Sequence, residues 1–110
     1  MNGFMIPRWE AAEVRGPVVV IDTIRAFTTA AYAFGAGARR IVLVDSVDDA
    51  LRFKADHPGT LAMGEDHGLR PEGFDLPNSP AMAAAADLDG RTIVQRTSAG
   101  TRGVVAARSA

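Results

Sequence analysis

Three apolar runs in this chain each end on residues that can bind or move charge. Val18–Ile21 runs into Asp22, then Thr23 and Arg25. Leu61–Gly64 runs into Glu65 and Asp66. Thr92–Gln95 runs into Arg96–Thr97–Ser98–Ala99–Gly100–Thr101–Arg102. A carboxylate at the end of a strand can hold Mg²⁺ or serve as nucleophile or base. Arginine grips phosphate or carboxylate with paired hydrogen bonds. A loop of small residues opening a helix offers backbone N–H groups to an oxyanion. If the three runs are parallel strands, their carboxyl ends share the sheet edge where open α/β folds bind ligands. Acids for a metal, arginines for an anion and a hydroxyl-rich loop then converge on one crevice.

Each of these residues also has a plainer role. Asp22 can cap the helix that follows it. Glu65 and Asp66 are neighbours, so in an extended backbone only one faces the crevice; Glu65, directly after Gly64, is the choice, because a glycine lets a ligand approach. His67 has the titration range of an acid–base group but reads better as a surface histidine. His57, at a helix end before Pro58, suits the helix dipole. Asn78 and Ser79 open a helix at Pro80 and either offer free N–H groups to a phosphate or merely cap it. The Thr97–Thr101 stretch is a tight turn or an anion cradle, and Arg25 and Arg102, each just past a strand end, favour the cradle. There is no Gly-x-x-x-x-Gly-Lys-Ser/Thr phosphate loop and no dinucleotide fingerprint, since Gly35–Ala36–Gly37 follows a helix. A haloacid-dehalogenase-type site is excluded as well. It needs an acid two positions after the first aspartate, and Ile24 cannot move a proton.

The elements that must position these residues alternate along the chain. Val18–Ile21 reads as a strand buried on both faces. A helix over 26–34 carries Phe27, Ala30, Ala31 and Phe34 on one face and ends at Gly35. Ile41–Val44 is a second buried strand, and Asp45 or Ser46 caps a helix over 47–55. Leu61–Met63 is a third strand. A polar loop over 65–77 leads to a short Ala-rich helix from Pro80, then to a strand over 92–95 and a last helix from about Arg102. This alternation predicts a single α/β domain over residues 1–110: three layers around a mostly parallel sheet, ending like a truncated domain. An incomplete sheet edge invites pairing between copies of the chain.

Composition narrows the class. Apolar residues make up 47% of 110 residues, there is no cysteine, and 12 basic against 13 acidic residues leave a net charge of −1. That is a globular chain without disulfides or thiolate metal sites. It has no basic stripe for nucleic acid, no signal-peptide pattern and no spanning apolar stretch, so a cytoplasmic protein that avoids nucleic acid and membrane is expected.

Asp22–Thr23–Ile24–Arg25–Ala26–Phe27–Thr28–Thr29 resembles the Asp-x-x-Arg-Ala-Thr-Thr stretch of the 2-phosphosulfolactate phosphatase family. Gly64–Glu65, Gly68 and Gly73–Phe74–Asp75–Leu76–Pro77–Asn78–Ser79–Pro80 resemble its Gly-Glu…Gly-Phe-Asp-Leu-Gly-Asn-Ser-Pro block. Thr97–Arg102 resembles its Thr-Thr-Asn-Gly-Thr-Arg loop. The likeness covers about residues 19–107 and only the N-terminal portion of the longer family members. Two departures stand out: Ala99 replaces the loop asparagine, and Pro77 replaces a glycine. The resemblance implies a Mg²⁺-dependent phosphatase of α/β fold, converting 2-phosphosulfolactate to sulfolactate on the way to coenzyme M. It carries over Asp22, Arg25, Glu65, Asn78, Ser79, Gly100, Thr101 and Arg102 as site residues. Combined with the residue-level reading, Asp22 and Glu65 are expected as catalytic and metal-holding acids. Arg25, Asn78, Ser79, Thr97, Ser98, Gly100, Thr101 and Arg102 are expected to bind a small anionic phosphate ester. The rival expectation is a non-catalytic anion-binding or subunit-like remnant of that family, and measurable anion binding with weak or absent turnover is expected of this short chain.

Overall fold

The computed structural model describes residues 3–108. After a 3₁₀ turn at Arg8–Glu13, the elements are α1 (Ala26–Gly35), β1 (Arg40–Leu43), α2 (Val47–Asp56), β2 (Leu61–Gly64), β3 (Leu76–Pro77), α3 (Pro80–Ala85), β4 (Thr92–Arg96) and α4 (Gly100–Ala107). The strands form one all-parallel sheet in the order β1-β4-β2-β3. This is the α/β architecture the alternation predicts.

β4 is central, paired on both sides, and all its residues after Thr92 are buried. Side chains alternate across it. Ile93, with Met63, meets Ala33, Ala83 and Leu88 on the face covered by α1 and α3. Val94, with Ala62, meets Ala50 and Phe74 on the face covered by α2. The two faces give the three layers. Local signals place the helices as expected: Ser46 Oγ accepts from Asp49 N at 3.0 Å to start α2, and Ser79 Oγ accepts from Met82 N at 3.3 Å to start α3, with Pro80 first in the helix. His57 closes α2, its ring stacked on Phe53 at 4.0 Å.

Three expectations are corrected. Val18–Ile21 is not a strand: it forms no ladder, and Val19 and Ile21 are 85% and 72% exposed. β1 pairs directly with β4, and the segment lies beside α4, with Val20 Cγ1 3.6 Å from where a Cβ on Gly103 would stand. Apolar β-rich composition prescribes an extended backbone but does not choose its partner. The fourth strand is instead the two-residue Leu76–Pro77, inside the stretch read as loop. Ile41–Val44 is half-buried, because β1 is an edge strand. In α1 the buried positions are Ala26, Thr29 and Ala33, while Phe34 is half-exposed. Small residues there let α1 lie close against α3, an approach that phenylalanines would prevent.

Candidate functional site

The carboxyl ends of β2 and β4 lie side by side, with Gly64 opposite Arg96. This register sets the next residues, Glu65 and Thr97, at the same edge. Gly64 has φ +147°, and a Cβ there would stand 1.8 Å from Arg96 O. The missing side chain therefore admits the neighbouring backbone, not a ligand, and Glu65 N donates to that same carbonyl at 3.0 Å.

Glu65 and Asp66 then diverge. Glu65 Oε1 accepts from Ser98 N at 2.5 Å, and Oε2 accepts from Ser98 Oγ at 2.9 Å and Gly68 N at 2.8 Å. Asp66 Oδ1 accepts from Arg96 Nη1 at 2.9 Å. Burial pushes the Glu65 carboxyl up, but the hydrogen bonds from Ser98 N, Gly68 N and Ser98 Oγ and the Arg96 charge outweigh it and hold its pKa below the ordinary value. At neutral pH Glu65 is thus a carboxylate and not a proton donor.

The loop into α4 is closed on itself. Thr97 N donates to Thr101 Oγ1 at 2.8 Å, Thr101 N to Thr97 Oγ1 at 3.1 Å, and Thr101 Oγ1 to Thr97 O at 3.1 Å. Arg8 Nη1 adds a donor to Ser98 O at 2.9 Å. Asp22 also approaches the loop, at Gly100. A Cβ on Gly100 would stand 2.6 Å from Asp22 Oδ2 and 2.8 Å from Ala26 Cβ, so only glycine lets the carboxylate and α1 close on this helix start. Asp22 does not cap α1; the cap position is Arg25, which makes no side-chain cap. The two acids expected at the crevice therefore touch one short loop, Glu65 at Ser98 and Asp22 at Gly100.

The remaining expected residues are placed less uniformly. Arg102 Nε pairs with Asp45 Oδ1 at 3.0 Å, both half-exposed. Arg25 is exposed, and its carbonyl accepts from Thr29. Ser79 is spent on capping α3. Asn78 is buried at 7% exposure, and its Oδ1 has no partner. His67 is exposed, near Asp66.

Two residues escaped the sequence reading. Arg96, only 8% exposed, donates to Asp45 O at 3.1 Å, Glu65 O at 3.2 Å and Asp66 Oδ1, tying three strand ends together. Gln95 is fully buried at the end of the central strand; its Nε2 donates to Ala26 O at 2.9 Å, and its Oε1 has no partner. A glutamine in an otherwise apolar central strand was the available signal, since such a position costs free energy unless its polar atoms are used.

The central block also does structural work. Gly73, at φ +86°, turns the chain against Leu51; Phe74 enters the core; and Asp75 Oδ2 accepts from Ala62 N and Lys54 Nζ, each at 2.8 Å. That clamp lays Leu76–Pro77 beside β2 and delivers Asn78 to the sheet's carboxyl edge.

An open parallel sheet with acids, a hydroxyl-rich loop and a helix start at its carboxyl edge defines an α/β protein, and in such folds this edge is the usual place for a ligand. The profile of the 2-phosphosulpholactate phosphatase family matches residues 5–110. Probable 2-phosphosulfolactate phosphatases from Bacillus subtilis, Thermus thermophilus and Thermoplasma acidophilum are 44%, 47% and 40% identical to it, over 84%, 82% and 76% of this chain. The chain belongs to the 2-phosphosulfolactate phosphatase family. It spans 39%, 37% and 38% of the length of those relatives. Among the described residues, no helix is long and apolar enough to cross a membrane.

Proposed function

We propose that this chain carries the phosphate-handling edge of a Mg²⁺-dependent phosphomonoesterase acting on a small anionic organophosphate, 2-phosphosulfolactate by the names of its relatives. The observation that carries this reading is that Asp22 and Glu65 both reach the short Thr97–Thr101 loop, at Gly100 and at Ser98. Overall, the reaction passes the phosphoryl group to water and frees the alcohol.

The residues fit a hard cation. Asp22 Oδ1 is buried and without a partner, as suits an oxygen ligand. Glu65 supports the site differently from the simple expectation of a second metal ligand, because Ser98 and Gly68 already engage its oxygens. A bound Mg²⁺ supplies charge neutralisation at phosphate oxygens. Glu65 holds the Ser98 backbone in place before substrate arrives, so the loop does not have to reorganise on binding. Arg25, exposed beside the loop-facing start of α1, and Arg102, in the first turn of α4, supply cations for the phosphate and for a second anionic group.

The test is phosphate release from 2-phosphosulfolactate with Mg²⁺ and with chelator. Release that requires Mg²⁺ and disappears in Asp22→Asn, with the fold intact by circular dichroism, supports the reading. Chelator-insensitive release refutes its metal dependence. A second reading, a non-catalytic anion-binding role, is favoured by one observation: the oxygens of Glu65, expected as a catalytic acid, are already held by Ser98 and Gly68. It expects phosphate binding by calorimetry with no turnover. Self-association through the open outer edge of β1 is a further expectation, read by sedimentation velocity across concentrations.

A further inference from the structure

Three buried side-chain oxygens have no hydrogen-bond partner among the described residues: Asp22 Oδ1, Asn78 Oδ1 and Gln95 Oε1. All three are acceptors, and no buried side-chain nitrogen is orphaned with them. A buried acceptor without a partner is costly, and such groups commonly mark an ion or an ordered water. The missing partner must be electropositive. An anionic substrate has only more acceptor oxygens to offer and cannot meet this need itself.

The oxygens belong to one end of the fold. Gln95 is the penultimate residue of the central strand, opposite Met63, on the face covered by α1. Its Nε2 is committed to Ala26 O, which fixes the amide so that Oε1 is the free atom. Asp22 Oδ2 and Ala26 Cβ crowd the same point beside Gly100, at 2.6 and 2.8 Å, so Gln95 and Asp22 flank one residue, Ala26. Asn78 lies one residue beyond β3 and leads into α3, which packs on α1. Glu65 is not part of this set, because its oxygens are already held by Ser98 and Gly68.

We propose that Gln95 and Asn78 complete, with Asp22, an all-oxygen site for a hard divalent cation at the carboxyl edge of the sheet. This deepens the phosphomonoesterase reading by naming the residues that hold its metal. One carboxylate and two amide oxygens select a hard ion over zinc or copper. With so little protein charge, the ion keeps open positions for water and for phosphate oxygens, the usual pattern for Mg²⁺.

The probe is Mn²⁺ alone, followed by electron paramagnetic resonance and competed with Mg²⁺. Wild type binds; Gln95→Met and Asn78→Ala each lose about tenfold or more in affinity; Glu65→Gln changes it by less than about threefold. Melting in chelator checks that each variant folds, and Asn78→Ala decides the matter if Gln95→Met does not. Wild type that binds no Mn²⁺ overturns the proposal, the orphan oxygens then being met by water. So does undiminished binding in the folded variants, or loss of binding only in Glu65→Gln. Phosphate release is scored separately: turnover with unaltered Mn²⁺ binding in the variants overturns the ligand assignment alone, whereas Mn²⁺ binding with no turnover in wild type overturns the enzymatic reading alone.

Discussion

Gly64→Ala should damage this domain more than any other single methyl group added at a glycine. Two costs add. The backbone sits at φ +147°, where a residue with a Cβ is strained, at about 1–3 kcal/mol. The new Cβ would also stand 1.8 Å from Arg96 O and 2.8 Å from Arg96 C. Those are backbone atoms of the central strand, so relief means prising β2 from β4 where they pair. Overpacking adds about 1–3 kcal/mol when the surroundings yield, and more when the obstacle is main chain. The sum, about 2–6 kcal/mol, is a large share of the roughly 5–15 kcal/mol that holds a domain together. With a urea slope of about 2 kcal/mol/M, the midpoint should fall by about 1–3 M, or the protein should not fold at all. Gly59→Ala is the control: its φ is +90°, and nothing lies within 4 Å of the added Cβ, so it has the strain without the overlap. Urea melts of wild type and both variants, followed by circular dichroism, give the difference. Equal midpoints for Gly64→Ala and Gly59→Ala would refute the close backbone approach that places Glu65 beside Ser98.

Glu65→Gln should cost about 1–2 kcal/mol near neutral pH, because a neutral amide replaces a carboxylate receiving hydrogen bonds from Ser98 and Gly68. The folded pKa is depressed below 4.5, so this stabilisation is present above the unfolded value and is lost as pH falls through the folded one; urea midpoints of the two proteins should converge in acid, and a gap that persists there sinks the assignment. Asp45→Asn frees the Arg102 guanidinium from an exposed pair worth at most about 1 kcal/mol, so phosphate affinity by calorimetry should rise by up to about fivefold, whereas Arg102→Ala and Arg25→Ala should each lower it about tenfold. Unchanged affinity in both arginine variants would make these arginines surface residues. Leu88→Ala, at a fully buried position in the core under α1 and α3, should cost about 2–5 kcal/mol, and a shift in thermal midpoint of only a degree or two would contradict that packing.

Much of the fold was legible because its signals are local. Ser46 and Ser79 cap, Pro80 starts a helix, and Ile93–Val94 is apolar on both faces of a buried strand. What escaped depended on partners. Val18–Ile21 has strand composition, but a strand exists only where an edge accepts it. Leu76–Pro77 becomes a strand not by propensity but because Asp75 binds Ala62 N and Lys54 and lays the chain beside β2. The α1 face was misjudged for a related reason. Spacing favoured Phe27 and Phe34, yet the close approach of α3 selects alanine and threonine, and only the packed neighbour reveals that.

The site divides along the same line. Acids and arginines announce themselves in a sequence, so Asp22, Glu65, Arg25 and Arg102 are singled out by type, but type says nothing of who consumes the charge. Asp45 occupies Arg102, Ser98 occupies Glu65, and Asp66 is held by the buried Arg96. The residues left with unmet demand are quieter: an aspartate oxygen, an asparagine and a glutamine. Each of their orphan atoms is an acceptor, whereas the donors of the Thr97–Thr101 loop are largely partnered already. A phosphate ester brought to this edge would therefore meet arginines it can pair with and oxygens that repel it. A cation placed between phosphate and oxygens, as proposed above, would satisfy both sides. That proposal rests on the hydrogen-bond inventory of Asp22, Asn78 and Gln95, and not on any likeness to other proteins.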